Sequence, residues 1–114
     1  MAGDEIDWGE AQEALRVTRM DWAVPVLVAL AKGPQTWTSL RARVQQSGMK
    51  TGRPLLYDKA YNRTLDAMVK AGLIIRKEKG GFPRTVTYQS TSKAGGVLFA
   101  LRSYSDWSHN HKAQ

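Results

Sequence analysis

Three outward-facing polar residues at helical spacing, Lys59, Asn62 and Arg63, carry the chemistry of this chain. Lys and Arg donate to O6 and N7 of guanine, and Asn can pair with N6 and N7 of adenine, so together they form a set able to read base edges. The plainer alternative is a solvated helix face. Tyr57 precedes them and suits a phosphate, a thymine methyl, or simple packing against the turn. Asp66 repels DNA and is expected to orient Arg63 or Lys59 on the same helix face. A second basic group, Lys77, Lys79 and Arg84, surrounds Gly80-Gly81. Around a turn, such residues suit phosphates or the minor groove and add affinity with little sequence information. The rival role for those lysines is protection of a strand edge. Thr38, Ser39 and Arg41 sit where a helix should begin, so their backbone N–H groups could hold a phosphate. Lys50 and Arg53 lie in a turn-rich stretch and are further backbone candidates.

The elements that must position these residues follow from periodicity. Residues 58–71 are amphipathic at helical spacing, with Tyr61, Leu65, Met68 and Val69 as the core stripe and Gly72 as the stop. Strands are predicted at 73–78 and 84–90, joined by Gly80-Gly81. Upstream, residues 9–20 predict a helix with Ala11, Leu15, Thr18 and Met20 on one face. Asp21 would cap a buried helix from Trp22 to Ala31, where Pro25 is tolerated in the first turn. Lys32-Gly33-Pro34 ends it, and Thr38 would cap a third helix to about Gln45. The stretch 46–54 reads as a long turn. A last helix, about 92–108, carries Val97, Leu98, Leu101, Tyr104 and Trp107 on one side, with a start weakened by Gly95 and Gly96.

Charge and composition narrow the function. Residues 41–84 hold 11 Lys/Arg against 3 Asp/Glu, whereas residues 1–40 hold 3 against 6. A positive middle beside an acidic start is the footprint of a polyanion-binding surface. The 114 residues are enough for one modest core. No apolar run is long enough to span a membrane, and the start, Met1-Ala2-Gly3-Asp4-Glu5, lacks a signal-peptide pattern, so a cytoplasmic location is expected. With no cysteine, disulfides and thiolate metal sites are excluded. His109 and His111 form an H-x-H pair in a polar tail without a third ligand nearby, so neither a metal site nor a cofactor is expected. There is no Gly-rich phosphate loop, G-x-S-x-G elbow or His/carboxylate pair in the folded body, and an enzyme is not expected.

The order helix, helix, helix, recognition helix, two-stranded wing, helix resembles the HxlR-type winged helix-turn-helix transcriptional regulators, relatives of the MarR group. The resemblance spans roughly residues 11–107. It is carried by Asp21-Trp22, Leu27 through Pro34, Gln35-Thr36-Trp37-Thr38-Ser39-Leu40-Arg41, Leu65 through Arg76, Pro83 through Tyr88, Thr91 and Trp107. The family usually has a cysteine near the buried helix; its absence here removes the basis for oxidant sensing. The turn before the recognition helix is longer than the family's, and Ser90 stands where leucine is common.

The resemblance implies an α+β, mostly helical fold. An acidic arm (1–8) precedes a DNA-binding and dimerisation domain (9–108) and a polar tail (109–114). It implies a homodimer on duplex DNA, with helix 58–71 in the major groove and the wing on the flanking backbone. The dimer is expected through the terminal helices, from Ile6, Trp8, Leu15, Leu98, Leu101, Tyr104 and Trp107. Trp22 and Trp37 are expected in the core. A small-molecule effector pocket could form between the dimer helix and the wing helix near Trp22, but nothing polar marks one. Two other readings stay open: a winged-helix module docking an acidic protein, and a basic nucleic-acid-binding protein without sequence preference.

Overall fold

The computed structural model describes residues 8–52 and 55–111. Its elements run α1 (Trp8–Thr18), α2 (Ala23–Leu30), β1 (Gln35–Thr36), α3 (Trp37–Lys50), α4 (Asp58–Lys70), β2 (Ile74–Lys79), β3 (Thr85–Ser90) and α5 (Ser92–His111). The segment Ala-Val-Pro-Val-Leu-Val-Ala-Leu is apolar all round, and α2 is accordingly the central helix, burying Ala23, Pro25, Val26, Leu27, Ala29 and Leu30. Around it pack Val17 of α1, Leu40 and Val44 of α3, Tyr61, Leu65 and Met68 of α4, and Tyr88 of β3.

Several boundaries differ from expectation. The N-cap of α2 is Trp22, with no side-chain cap, so Asp21 does not play that role. On α1 the inward residues are Ala14 and Val17, and Leu15 is exposed. The cap of α3 is Thr36, whose hydroxyl accepts from the Ser39 N–H at 3.1 Å, and Thr38 lies inside the helix. The cap moves because Gln35-Thr36 is extended and pairs with β3, Gln35 opposite Tyr88 and Thr36 opposite Thr87. The hairpin is therefore part of a three-stranded sheet of order β1-β3-β2. Helix α3 also runs through Gly48 to Lys50, shortening the expected long turn. Leu40, Val44 and Gly48 recur every four residues on its buried face, and this burial outweighs the helix penalty of Gly, about 1 kcal/mol.

The exit of α4 is a Schellman turn. Gly72 has φ 76°, its N–H donates to the Val69 carbonyl, and Leu73 N–H donates to Met68, both at 3.0 Å. Only glycine enters that conformation without strain. The wing then leaves in register, Ile74 opposite Ser90 through Lys79 opposite Thr85. Thr91 closes the return: its hydroxyl donates to the Gly72 carbonyl at 2.7 Å and accepts from Ala94 N–H at 3.3 Å, capping α5. Lys93 adds a bond to the Ala71 carbonyl and an ion pair with Glu10. These ties begin α5 firmly despite Gly95 and Gly96. Ala94, Val97 and Leu98 touch the core, while residues 99–107 are exposed.

Candidate nucleic-acid interface

Helix α4 has two faces. Tyr61, Thr64, Leu65 and Met68 are buried; Lys59, Asn62, Arg63, Asp66 and Lys70 are exposed. Val69, expected in the core, is 37% exposed and flanks the outward face, while Thr64 takes its place inside and donates to the Ala60 carbonyl. Lys59, Arg63 and Lys70 take part in no ion pair among the described residues. Asp66 forms none either, so the expected orientation of Arg63 or Lys59 by its carboxylate is absent. The α4 face borders a groove of about 620 Å³ whose other wall is Glu13 and Arg16 of α1. Those two pair with each other at 2.7 Å, and the Arg16 hydrogen bond holds the Glu13 carboxyl below its usual range. No sequence signal had put α1 beside this face.

Asn62 is not free. The Trp37 indole N–H donates to its Oδ1 at 2.9 Å. Trp37 is half-buried, its ring set edge-on to Tyr61 at 5.2 Å, and its carbonyl accepts the Tyr61 hydroxyl at 2.8 Å. Tyr61 is fully buried, and burial first of all pushes its phenol well above the ordinary tyrosine range. Trp22 is buried as expected. Tyr57 is 69% exposed: its ring does not pack against the turn, and its carbonyl accepts from Tyr61 N–H at the start of α4.

Other candidates serve the fold. Arg41 is clamped, Nε to Asp58 at 2.6 Å and Nη2 to the Leu56 carbonyl at 2.6 Å. Gln45 accepts from Leu56 N–H at 2.8 Å on the same side of α3. Together they seat the buried Leu56 and fix the entry to α4, so the Arg41 guanidinium is engaged within the chain and not held open for a phosphate. Ser39 donates its hydroxyl to Gln35. Thr38 and Lys50 are exposed; Arg53 lies outside the described residues.

On the wing, Lys77 and Lys79 are exposed and unpaired among the described residues. Arg84 is instead bonded to Glu78, which Arg76 also meets at 2.7 Å. The Arg84 hydrogen bond, then that from Arg76, holds the Glu78 carboxyl below its usual range. One carboxylate thus offsets part of the expected wing charge. The tip carries a fully exposed Phe82, which charge counting had passed over.

Of the expected dimer residues, Trp8, Leu15, Leu101, Tyr104 and Trp107 are exposed, and Leu98 is partly buried against the chain's own core. Ile6 lies outside the described residues. Ala11, Ala14, Leu15, Thr18, Val97, Ala100, Leu101 and Tyr104 line an apolar groove of about 460 Å³ between α1 and α5. Tyr104 and Trp107 stack at 6.2 Å. Space beside Trp22 is an open groove of about 320 Å³ between the α1–α2 turn and α4, so it borders α4 and not α5. No helix of the described residues is long and apolar enough to cross a membrane.

No family model and no curated protein sequence matches the chain. Solved structures do. A protein assigned to the MarR family of transcriptional regulators from Enterococcus faecalis V583 superposes with a TM-score of 0.72 at 17% identity, over 96% of this chain and 92% of that one. The reduced form of the transcriptional regulator YodB from B. subtilis gives 0.70 at 15% identity, over 88% and 89%. Reduced HlyU from Vibrio cholerae N16961 gives 0.64 at 16%, over 86% and 90%. Over nearly its whole length, the chain has the winged helix-turn-helix fold that these proteins share.

Proposed function

We propose that the chain is a homodimeric, sequence-selective DNA-binding transcriptional regulator of the cell interior, with α4 in the major groove and the β2–β3 wing on the flanking backbone. The observation that carries this is the exposed face of α4. Lys59, Arg63 and Lys70 project from one side of a helix whose opposite side is buried, and none of them forms an ion pair among the described residues. A rigid helix with free cations fits a groove walled by phosphates. Base edges fall to Lys59, Asn62, Arg63 and Tyr57; backbone phosphates fall to Lys77, Lys79, Thr38 and Lys50, with Arg84 contributing less because Glu78 shares its charge. The apolar groove between α1 and α5, continued by Tyr104 and Trp107, supports a second copy as its cover. A two-fold dimer makes the target a near-palindrome with half-sites about one helical turn apart.

The test is selection of bound fragments from a random duplex pool, followed by sequencing. The expected result is a near-palindromic motif. Binding that is steeply salt-dependent but shows no motif would instead identify a non-specific nucleic-acid binder. No duplex binding at all would favour docking of an acidic protein.

A further inference from the structure

We infer that Trp37 sets base specificity: by holding the Asn62 carboxamide through its indole N–H, it makes Asn62 a donor to guanine instead of a reader of adenine. The inference rests on the DNA-reading function proposed above. It begins with which way the amide is turned. An indole N–H is a donor only, and the sole acceptor of a carboxamide is its oxygen. The 2.9 Å contact therefore assigns Oδ1 to Trp37 and leaves the Nδ2 hydrogens for the groove. The contact is anchored. Trp37 packs on the buried Tyr61, and the Tyr61 hydroxyl donates to the Trp37 carbonyl. Tyr61 directly precedes Asn62 in α4, so indole and amide share one scaffold.

A free Asn reads adenine by accepting from N6–H with its oxygen while donating to N7. The indole takes one lone pair of the Asn62 oxygen and fixes the turn of the amide, so that in this reading its N–H₂ leads toward the base. The edge that remains consists of N–H donors. Guanine answers it with two acceptors, N7 and O6, whereas adenine sets its own N6–H₂ donor against the amide. Swinging the oxygen back to adenine would give up the indole bond, whose N–H is solvent-exposed in the free chain and would be cut off from water beneath bound DNA, a cost that selection of guanine avoids.

The experiment compares the parent with Asn62→Ala and Trp37→Phe in the random-duplex selection. The parent alone tests the underlying reading: if it enriches no motif, that reading fails and the inference falls with it. Given a motif, Asn62→Ala identifies the base position that Asn62 contacts, where discrimination should vanish. At that position the parent should carry guanine. Trp37→Phe keeps an aromatic ring against Tyr61 and removes the N–H together with the five-membered ring that carries it, so the guanine-to-adenine ratio there should fall by roughly tenfold while other positions hold. Adenine in the parent motif, no position altered by Asn62→Ala, or an unchanged ratio in Trp37→Phe each overturns the inference and leaves the DNA-binding reading intact. Should Trp37→Phe melt far below the parent, the parent itself decides. Replacing the assigned guanine with 7-deazaguanine removes the N7 acceptor and should weaken binding several-fold, and unchanged affinity overturns the inference.

Discussion

Replacing Tyr61 by Phe should destabilise the chain at neutral pH and lose that effect in alkali. The ring is fully buried, and its hydroxyl donates to the Trp37 carbonyl at 2.8 Å. Phe fills the same space, so the change removes one hydrogen bond and leaves a carbonyl short of a partner. That combination costs about 1–2 kcal/mol at pH 7. Burial also raises the folded-state phenol pKa well above its unfolded value, which lies near 10. A raised pKa means that the fold favours the neutral phenol. Its contribution is complete below pH 10 and is lost as the pH climbs past 10 toward the folded-state value, at about 1.4 kcal/mol per pH unit once the unfolded phenol is ionised. By pH 11 the parent has given up about that amount and Tyr61→Phe has given up none, so the two stabilities should nearly coincide. Urea unfolding at pH 7, 9 and 11, at one fixed protein concentration, measures this directly. Tyr57 and Tyr104 are common to both proteins and cancel. A stability difference that stays constant from pH 7 to pH 11 would refute the desolvation of this phenol. A variant as stable as the parent at pH 7 would refute the role of the hydroxyl in holding the start of α3.

The other tests are shorter. Arg41→Ala should cost about 1–2 kcal/mol, because the Leu56 carbonyl loses its donor; Asp58→Asn should cost under about 1 kcal/mol, since that pair is partly solvated with side-chain exposures of 30% and 64%. Equal losses in thermal melts would show that the carbonyl bond contributes nothing. Lys77→Ala with Lys79→Ala should weaken binding to every duplex alike and flatten the slope of log affinity against log salt by about two per protomer, about four for the dimer. An unchanged slope would mean that the wing faces away from DNA. Leu101→Glu should yield a folded monomer by sedimentation, because this side chain is 37% exposed at the α1–α5 groove; a parent already monomeric at micromolar concentration would remove the basis for a palindromic site.

The parts legible in the sequence were those governed by near neighbours. The two faces of α4 follow from helical spacing, its end from Gly72, and the wing from two short strands about Gly80-Gly81. The misplaced features depend on partners far along the chain. Gln35-Thr36 is too short to read as a strand and becomes one only because Tyr88 and Thr87 lie alongside. That pairing in turn shifts the helix cap from Thr38 to Thr36. Gly48 reads as a turn residue because its burial on the inner face of α3 is a tertiary fact.

The same distinction governs the candidate site. Spacing identified which polar residues point outward, but it could not tell which of them are already engaged. Arg41, Arg76 and Arg84 are held by Asp58 and Glu78, and Asn62 is held by an indole 25 residues away. Counting Lys and Arg therefore overstates the cationic surface open to phosphates. The cations of α4 and the wing left without a carboxylate among the described residues are Lys59, Arg63, Lys70, Lys77 and Lys79. Salt dependence follows phosphates neutralised and not formal charge, so each protomer should release counterions on the scale of these five side chains and Lys50, well short of the 11 Lys/Arg between residues 41 and 84.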